Sequence, residues 1–159
     1  MGLKAELIEA HIFRMMGNEI EFLLLKRAES EIYPGLWQMV TGAVNRNNEI
    51  AFETALREIE EETGLLPLKF WVVPNVNSFY WPEKDSIYQI PVFAALVESA
   101  CNVTISEEHS DYKWVKKEEA LKLLAWPGQR KSVEIIYDYF LTQQSFLKFV
   151  EINIQNKKN

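Results

Sequence analysis

Cysteine is almost missing from this chain: its 159 residues include one, Cys101, and two histidines, His11 and His109. One thiol forms no internal disulfide, and a thiolate metal site needs several. Cys101 therefore reads as inert. Glycine and proline are sparse, at six each, which excludes collagen-like and low-complexity chains. No apolar run approaches the roughly 20 residues of a membrane-spanning helix. The start, MGLKAELIEAHIF, lacks the basic-then-apolar layout of a signal peptide. Positive charge is in deficit, with 17 Lys and Arg against 23 Asp and Glu, a net charge of −6. Such a balance gives no basic surface for a nucleic-acid backbone. What remains, 48% apolar and 25% charged, is the composition of a soluble globular domain. The expectation is a cytoplasmic protein, monomer or homodimer, with no membrane and no nucleic-acid partner. Residues 1–152 would form one domain and 153–159 a polar C-terminal tail.

Apolar patterning predicts strands over Leu7–Phe13 and Ile20–Lys26, with the turn signal Gly17-Asn18 between them. A loop around Pro34-Gly35 leads to a short strand over Gln38–Val44 and the polar turn Asn45–Asn48. A helix is predicted over Ile50–Thr63, stopped by Gly64. Strands follow over Phe70–Tyr80 and Ile87–Val97, where Pro91 suggests an edge or a bulge. A short strand at Tyr112–Val115 precedes helices over Lys117–Leu124 and Gly128–Thr142. Strands and helices in this order suit a sheet covered by helices.

The segment Gly42–Leu65, GAVNRNNEIAFETALREIEEETGL, is the informative one. On a helical wheel Phe52, Ala55, Leu56 and Ile59 make a core-facing stripe. Glu58, Glu61 and Glu62 share another face at i, i+3 and i+4, with Arg57 at its border. Glu53 and Glu60 lie on a solvent side. Three like charges on one face cost a few tenths of a kcal/mol per adjacent pair. Two of them also sit at the C-terminal end, where the helix dipole disfavours negative charge. By itself the face is either a solvated acidic surface or a site for hard divalent cations, which want several oxygen ligands.

The spacing resembles the Nudix box. Glu49, seven residues, Arg57-Glu58, the apolar Ile59, Glu60, Glu61-Glu62, Thr63, Gly64 and Leu65 match in position and type. The flanks Trp37-Gln38-Met39-Val40-Thr41-Gly42 and Glu108-His109-Ser110-Asp111-Tyr112-Lys113-Trp114 also look like Nudix triphosphate hydrolases. The bacterial dihydroneopterin triphosphate (dATP) pyrophosphohydrolase group is the nearest likeness. Two box positions depart from the pattern: Ala43 stands at a glycine position and Asn48 at another. Asn48 tolerates a left-handed turn, and Ala43 keeps the carbonyl that the family uses.

The resemblance implies an α/β (α+β) fold, a Nudix-type α/β/α sandwich around a mixed β-sheet. It implies Mg²⁺, with Mn²⁺ as a substitute, coordinated by Glu58, Glu61, Glu62 and the Ala43 carbonyl. Arg57 and Glu49 would fix carboxylate rotamers, and Gly42 and Gly64 would shape the box. A carboxylate outside the box is expected from Glu108, with Glu107 and Asp111 as rivals. Catalysis would thus rest on Glu58, Glu61, Glu62, Arg57 and Glu108. Arg27 and Arg130 are candidates for phosphate. Trp37, Phe79, Tyr80 and Trp81 are candidates for stacking on the substrate ring. His109 reads as an exposed or capping residue and His11 as packed in a strand. The implied reaction is hydrolysis of a diphosphate linkage in a nucleoside triphosphate or pterin polyphosphate, releasing monophosphate and pyrophosphate. Alternatives are a diadenosine polyphosphate hydrolase and a Nudix module that binds a nucleotide metabolite without cleaving it.

Overall fold

The computed structural model describes residues 2–142 and 148–154. An eight-stranded mixed sheet is built from β1 (Leu7–Met16), β2 (Glu19–Arg27), β3 (Trp37–Gln38), β4 (Val40–Ala43), β5 (Lys69–Trp81), β6 (Ser86–Leu96), β7 (His109–Val115) and β8 (Val150–Ile152). The strand order is β3-β2-β1-β6-β5-β8, with β4 pairing β1 and β7 pairing β2. The β1–β6 pair is parallel and the others are antiparallel.

Alternation along the strands sends side chains to two apolar layers. Ile8, Ala10, Ile12, Phe93 and Ala95 face helix α1 (Ala51–Thr63), which contributes Ala55 and Ile59. Phe13, Phe22, Leu24, Trp71 and Val92 face the other way, toward α2 (Lys117–Leu123) and α3 (Pro127–Tyr137). The result is the α/β/α sandwich expected from the sequence. Among the described residues no helix is long and apolar enough to cross a membrane.

Several elements differ from the sequence expectation. The strand predicted over Gln38–Val44 is two strands broken at Met39. Trp37 and Gln38 pair with β2, whereas Val40–Ala43 pair with β1, so the chain changes partner between them. Pro91 lies on a strand flanked on both sides, not on an edge. The irregularity it accompanies is a bulge in β5 between Val72 and Val76, where Val76 stands opposite Pro91. The last helix ends at Tyr137 and relaxes into a π-helical turn over Asp138–Thr142. A 3₁₀ turn at Pro82–Lys84 closes the β5–β6 hairpin. Strand β8 escaped the pattern because it is only three residues long. Of the tail expected over 153–159, Asn153 and Ile154 continue without regular structure, and 155–159 lie outside the described residues.

Helix α1 positions the site, and its stripe anchors it. Ile59 is fully buried against the sheet. Replacing Ile59 with Ala should cost about 2–5 kcal/mol, the transfer free energy plus a cavity. Denaturant unfolding of the two proteins checks this; a loss below about 1 kcal/mol would mean that the layer can collapse around the gap.

Candidate active site

The strand β4 delivers the chain to the Asn45–Asn48 turn. There Asn45 Oδ1 accepts from the Asn47 backbone N–H at 3.3 Å and Asn45 O from Glu49 N–H at 2.9 Å. Neither Ala43 nor Asn48 takes a positive φ, so the two departures from the box are accommodated without backbone strain. Gly42 is required for space: a Cβ there would fall 2.5 Å from Glu58 Cγ. The N-cap Ile50 carries no acceptor, and Glu53 instead accepts from the Ile50 backbone N–H at 3.1 Å. Glu53 thus caps the helix start rather than merely facing solvent. Gly64 ends the helix at φ 72°, donating to Glu60 O at 2.8 Å.

Arg57 is the organising cation. Its Nε and Nη2 donate to the two oxygens of Glu49 at 3.0 and 2.7 Å, a two-point grip. Its Nη1 donates to Glu58 at 2.9 Å and to Glu61 at 3.0 Å. The Arg57–Glu49 hydrogen bonds hold the Glu49 carboxyl down at about 2, with Thr54 adding a hydroxyl donor at 2.7 Å.

Glu62 behaves oppositely. Only 2% of it is exposed and its Oε2 has no partner. Burial, then the hydrogen bond and charge of Glu58, then the charges of Glu108 and Glu61, push its carboxyl well above the usual range. Glu108 is also raised, by burial and then Glu58, with Arg27 pulling it back. All three extra-box acids are exposed, and Glu108 is the one whose charge acts on Glu62, whereas Asp111 Oδ1 accepts from the Tyr112 backbone N–H.

His109 corrects the sequence expectation. It is 5% exposed, 3.6 Å from Glu62 Oε1 and 3.1 Å from Gln38 Nε2. The start of β7 opposite Arg27 turns it inward, a placement that local sequence does not encode. Burial, then the Arg27 charge, lower its pKa, so the ring is neutral near pH 7 and the Glu62 approach is not an ion pair. Gln38 was also missed. It accepts from Arg27 Nη1 at 3.2 Å, and Arg27 Nε donates to Ile32 O. A chain Arg27–Gln38–His109–Glu62 therefore runs from the 28–36 loop to the buried carboxylate.

The remaining candidates lie elsewhere. Trp37 is half-buried with Lys113 Nζ 4.9 Å over its ring. The Arg130 guanidinium donates to Leu124 O and Ala125 O, both at 2.8 Å, joining α2 to α3. Phe79 and Trp81 pack against Tyr88 on the outer part of the β5–β6 hairpin, and Tyr80 donates to Asp85. Burial pushes the half-buried Cys101 thiol up, in line with an inert residue. His11 is packed as expected, but its Nε2 lacks a partner.

Among the described residues no three His, Cys, Asp or Glu side chains stand close enough to hold a metal ion as they lie; Glu58 and Glu61 lean on Arg57. The donor set nevertheless fits a hard divalent cation. It consists of carboxylates whose mutual repulsion a cation would relieve, and a buried oxygen, Glu62 Oε2, that lacks a partner.

Two pH effects follow. The depressed Glu49 pKa adds stability above its ordinary value of 4.5, lost as pH falls toward about 2. Arg57→Ala should flatten that acid-side loss in denaturant titrations; an unchanged slope would mean that Arg57 does not hold Glu49 in solution. The raised Glu62 pKa acts in reverse. Metal-free folded protein keeps a proton that the unfolded chain releases above 4.5, so stability falls as pH rises from there. Glu62→Gln should be more stable than wild type at about pH 8 without metal, and less so at about pH 5. Equal stability at both pH values would contradict the buried repulsion.

Comparison with known proteins agrees with this geometry. The NUDIX domain signature matches residues 7–135. A nucleoside triphosphatase, NudI, of Escherichia coli is 31% identical over 129 residues, which are 76% of this chain and 91% of that protein. The structure of a C. elegans Ap4A hydrolase complex aligns with a TM-score of 0.71 at 22% identity, over 87% of this chain and 98% of that one. The E. coli dihydroneopterin triphosphate pyrophosphohydrolase aligns with a TM-score of 0.66 at 19% identity, over 89% and 99%. At such identities the two structures speak for the fold alone. With the signature covering most of the chain and the box residues folded onto one helix, the protein belongs to the NUDIX domain family.

Proposed function

We propose that this Nudix hydrolase cleaves a diphosphate linkage in a nucleoside triphosphate or pterin polyphosphate, releasing the monophosphate and pyrophosphate. The cation would be Mg²⁺, with Mn²⁺ able to replace it, held by Glu58, Glu61, Glu62, Glu108 and the Ala43 carbonyl. The single observation that carries the reading is the buried, partly unpartnered Glu62 carboxyl among the charges of Glu58, Glu108 and Glu61. Such repulsion is costly in a surface helix that has no ligand. When bound, the cation neutralises phosphate charge and lowers the pKa of a water.

The chain's own groups do the rest. Arg57 keeps Glu58 and Glu61 on one side of the helix. Glu108, with its raised pKa, is suited to accept a proton from the attacking water. Arg27, beside Glu108, supplies positive charge for a phosphate group. The identity to NudI, a nucleoside triphosphatase by name, favours a triphosphate over a diadenosine polyphosphate.

Turnover should vanish with excess chelator and return with Mg²⁺ or Mn²⁺. Glu61→Gln should lower saturating-metal kcat by at least about a hundredfold, near 2.7 kcal/mol at the transition state, with metal-free stability unchanged. Product identification across nucleoside triphosphates, dinucleoside polyphosphates, nucleotide sugars and dihydroneopterin triphosphate assigns the linkage. Turnover that survives chelation would end the metal-centred reading, and binding without any turnover would favour the non-catalytic module.

A further inference from the structure

Glu9 is a carboxylate with 4% of its surface exposed, on the face of the sheet opposite α1. Its hydrogen-bond donors are neutral amides: Asn77 Nδ2 to Oε1 at 2.6 Å and Gln129 Nε2 to Oε2 at 2.8 Å. Burial pushes the Glu9 carboxyl up, and these two hydrogen bonds only oppose the shift. Two amides do not offset the desolvation of a charge.

The amides themselves are fixed. Asn75 donates to Asn77 Oδ1 at 3.2 Å and to Ser132 Oγ at 2.9 Å. Gly128, in the first turn of α3, is so close that a Cβ would fall 2.3 Å from Asn77 Oδ1. Yet Gln129 Oε1 has no partner, on a residue 9% exposed, and neither has His11 Nε2, two residues along β1 from Glu9 and 1% exposed. Buried polar atoms are otherwise paired as a rule, so a rigid array with an unused acceptor beside a carboxylate points to a ligand.

Its position suits the substrate. Glu9 pairs with Thr41, and the next residue on β4, Gly42, packs against Glu58. Thr41, Asn75 and Asn77 are half-buried, so the array meets solvent along β4 and β5. A flat ring bound here would have its phosphates close to the carboxylate helix. Each Glu9 oxygen already accepts one amide hydrogen and keeps a second lone pair, and Gln129 Oε1 is unpartnered. With Glu9 ionised the array is made of acceptors and calls for a ligand edge made of donors, which would also hold the carboxyl in that ionised form. A ring N–H next to an exocyclic amino group, as in guanine and pterins, offers two parallel donors to one carboxylate. Adenine and cytosine put an acceptor beside the amino group and would set a lone pair against Glu9.

We propose that Glu9, with Gln129 and Asn77, forms the site that selects the substrate's heterocycle, and that the selected class carries the donor edge of guanine or pterin. The inference rests on the triphosphate-hydrolase reading for its substrate, but its test does not need turnover.

Metal-free protein is titrated with GMP, CMP and AMP by calorimetry. GMP is expected to bind at least about tenfold tighter than the others, the worth of a charge-assisted hydrogen bond, and Glu9→Gln should erase that margin. In steady state with saturating metal, the ratio of kcat/KM for GTP over CTP should drop by about tenfold or more in Glu9→Gln. Gln129→Ala is the second variant if Glu9→Gln does not fold, with the same loss of margin expected. Equal binding of the three monophosphates by the wild type overturns the proposal. So does a variant that slows every triphosphate by one common factor, which is the mark of a structural role. If the wild type hydrolyses no triphosphate, the activity reading fails, and the monophosphate titration still decides this one.

Discussion

Arg57 grips Glu49 with two hydrogen bonds and reaches Glu58 and Glu61 with a third nitrogen, and the geometry of the acidic helix depends on this one guanidinium. Without it, α1 would carry a run of carboxylates at its dipole-disfavoured end with nothing to orient them. The planar fork suits the task where a lysine ammonium would not, because it meets several oxygens in one plane. Through Glu49, whose Oε1 also accepts from the Asn45 backbone N–H, the same group ties the helix to the turn after β4.

The anchoring is matched by destabilisation nearby. Glu62 and Glu108 are both held above the usual carboxylate range by burial and by like charge. A divalent cation held by these carboxylates would relieve this repulsion. The apolar stripe of Ala55 and Ile59 fixes α1 against the sheet, which keeps the repulsion from simply swinging the helix outward. Stability from the core and strain at the site are therefore opposite faces of one helix.

The sheet separates two kinds of polar burial. On the α1 side, acids crowd together around a single arginine. On the α2–α3 side, Glu9 is surrounded by amides and aligned with the rest of β1. Strand β4 links the sides, because Thr41 stands beside Glu9 and Gly42 beneath Glu58. A substrate with a flat ring at one end and phosphates at the other could address both across a single strand.

Much of this was legible in the chain. The box spacing, the stripe of Phe52, Ala55, Leu56 and Ile59, and the stop at Gly64 are local periodic features, and local periodicity survives folding because it sets the helix and its buried face. The order of strands and helices pointed to a sheet covered by helices, and the sandwich arrangement came from the resemblance carried by the box. The burial of His109 and Glu62, the change of partner that splits Gln38–Val44, and the pairing of Glu9 with Asn77 and Gln129 were not legible. These depend on contacts between residues up to 120 positions apart. The sequence by itself determined which groups could do chemistry and on which helix face they lie, since helical spacing is fixed by backbone geometry. Only the tertiary structure decided which of them lose water and which charges they meet, because desolvation and charge proximity depend on the packed neighbours and not on the order of residues.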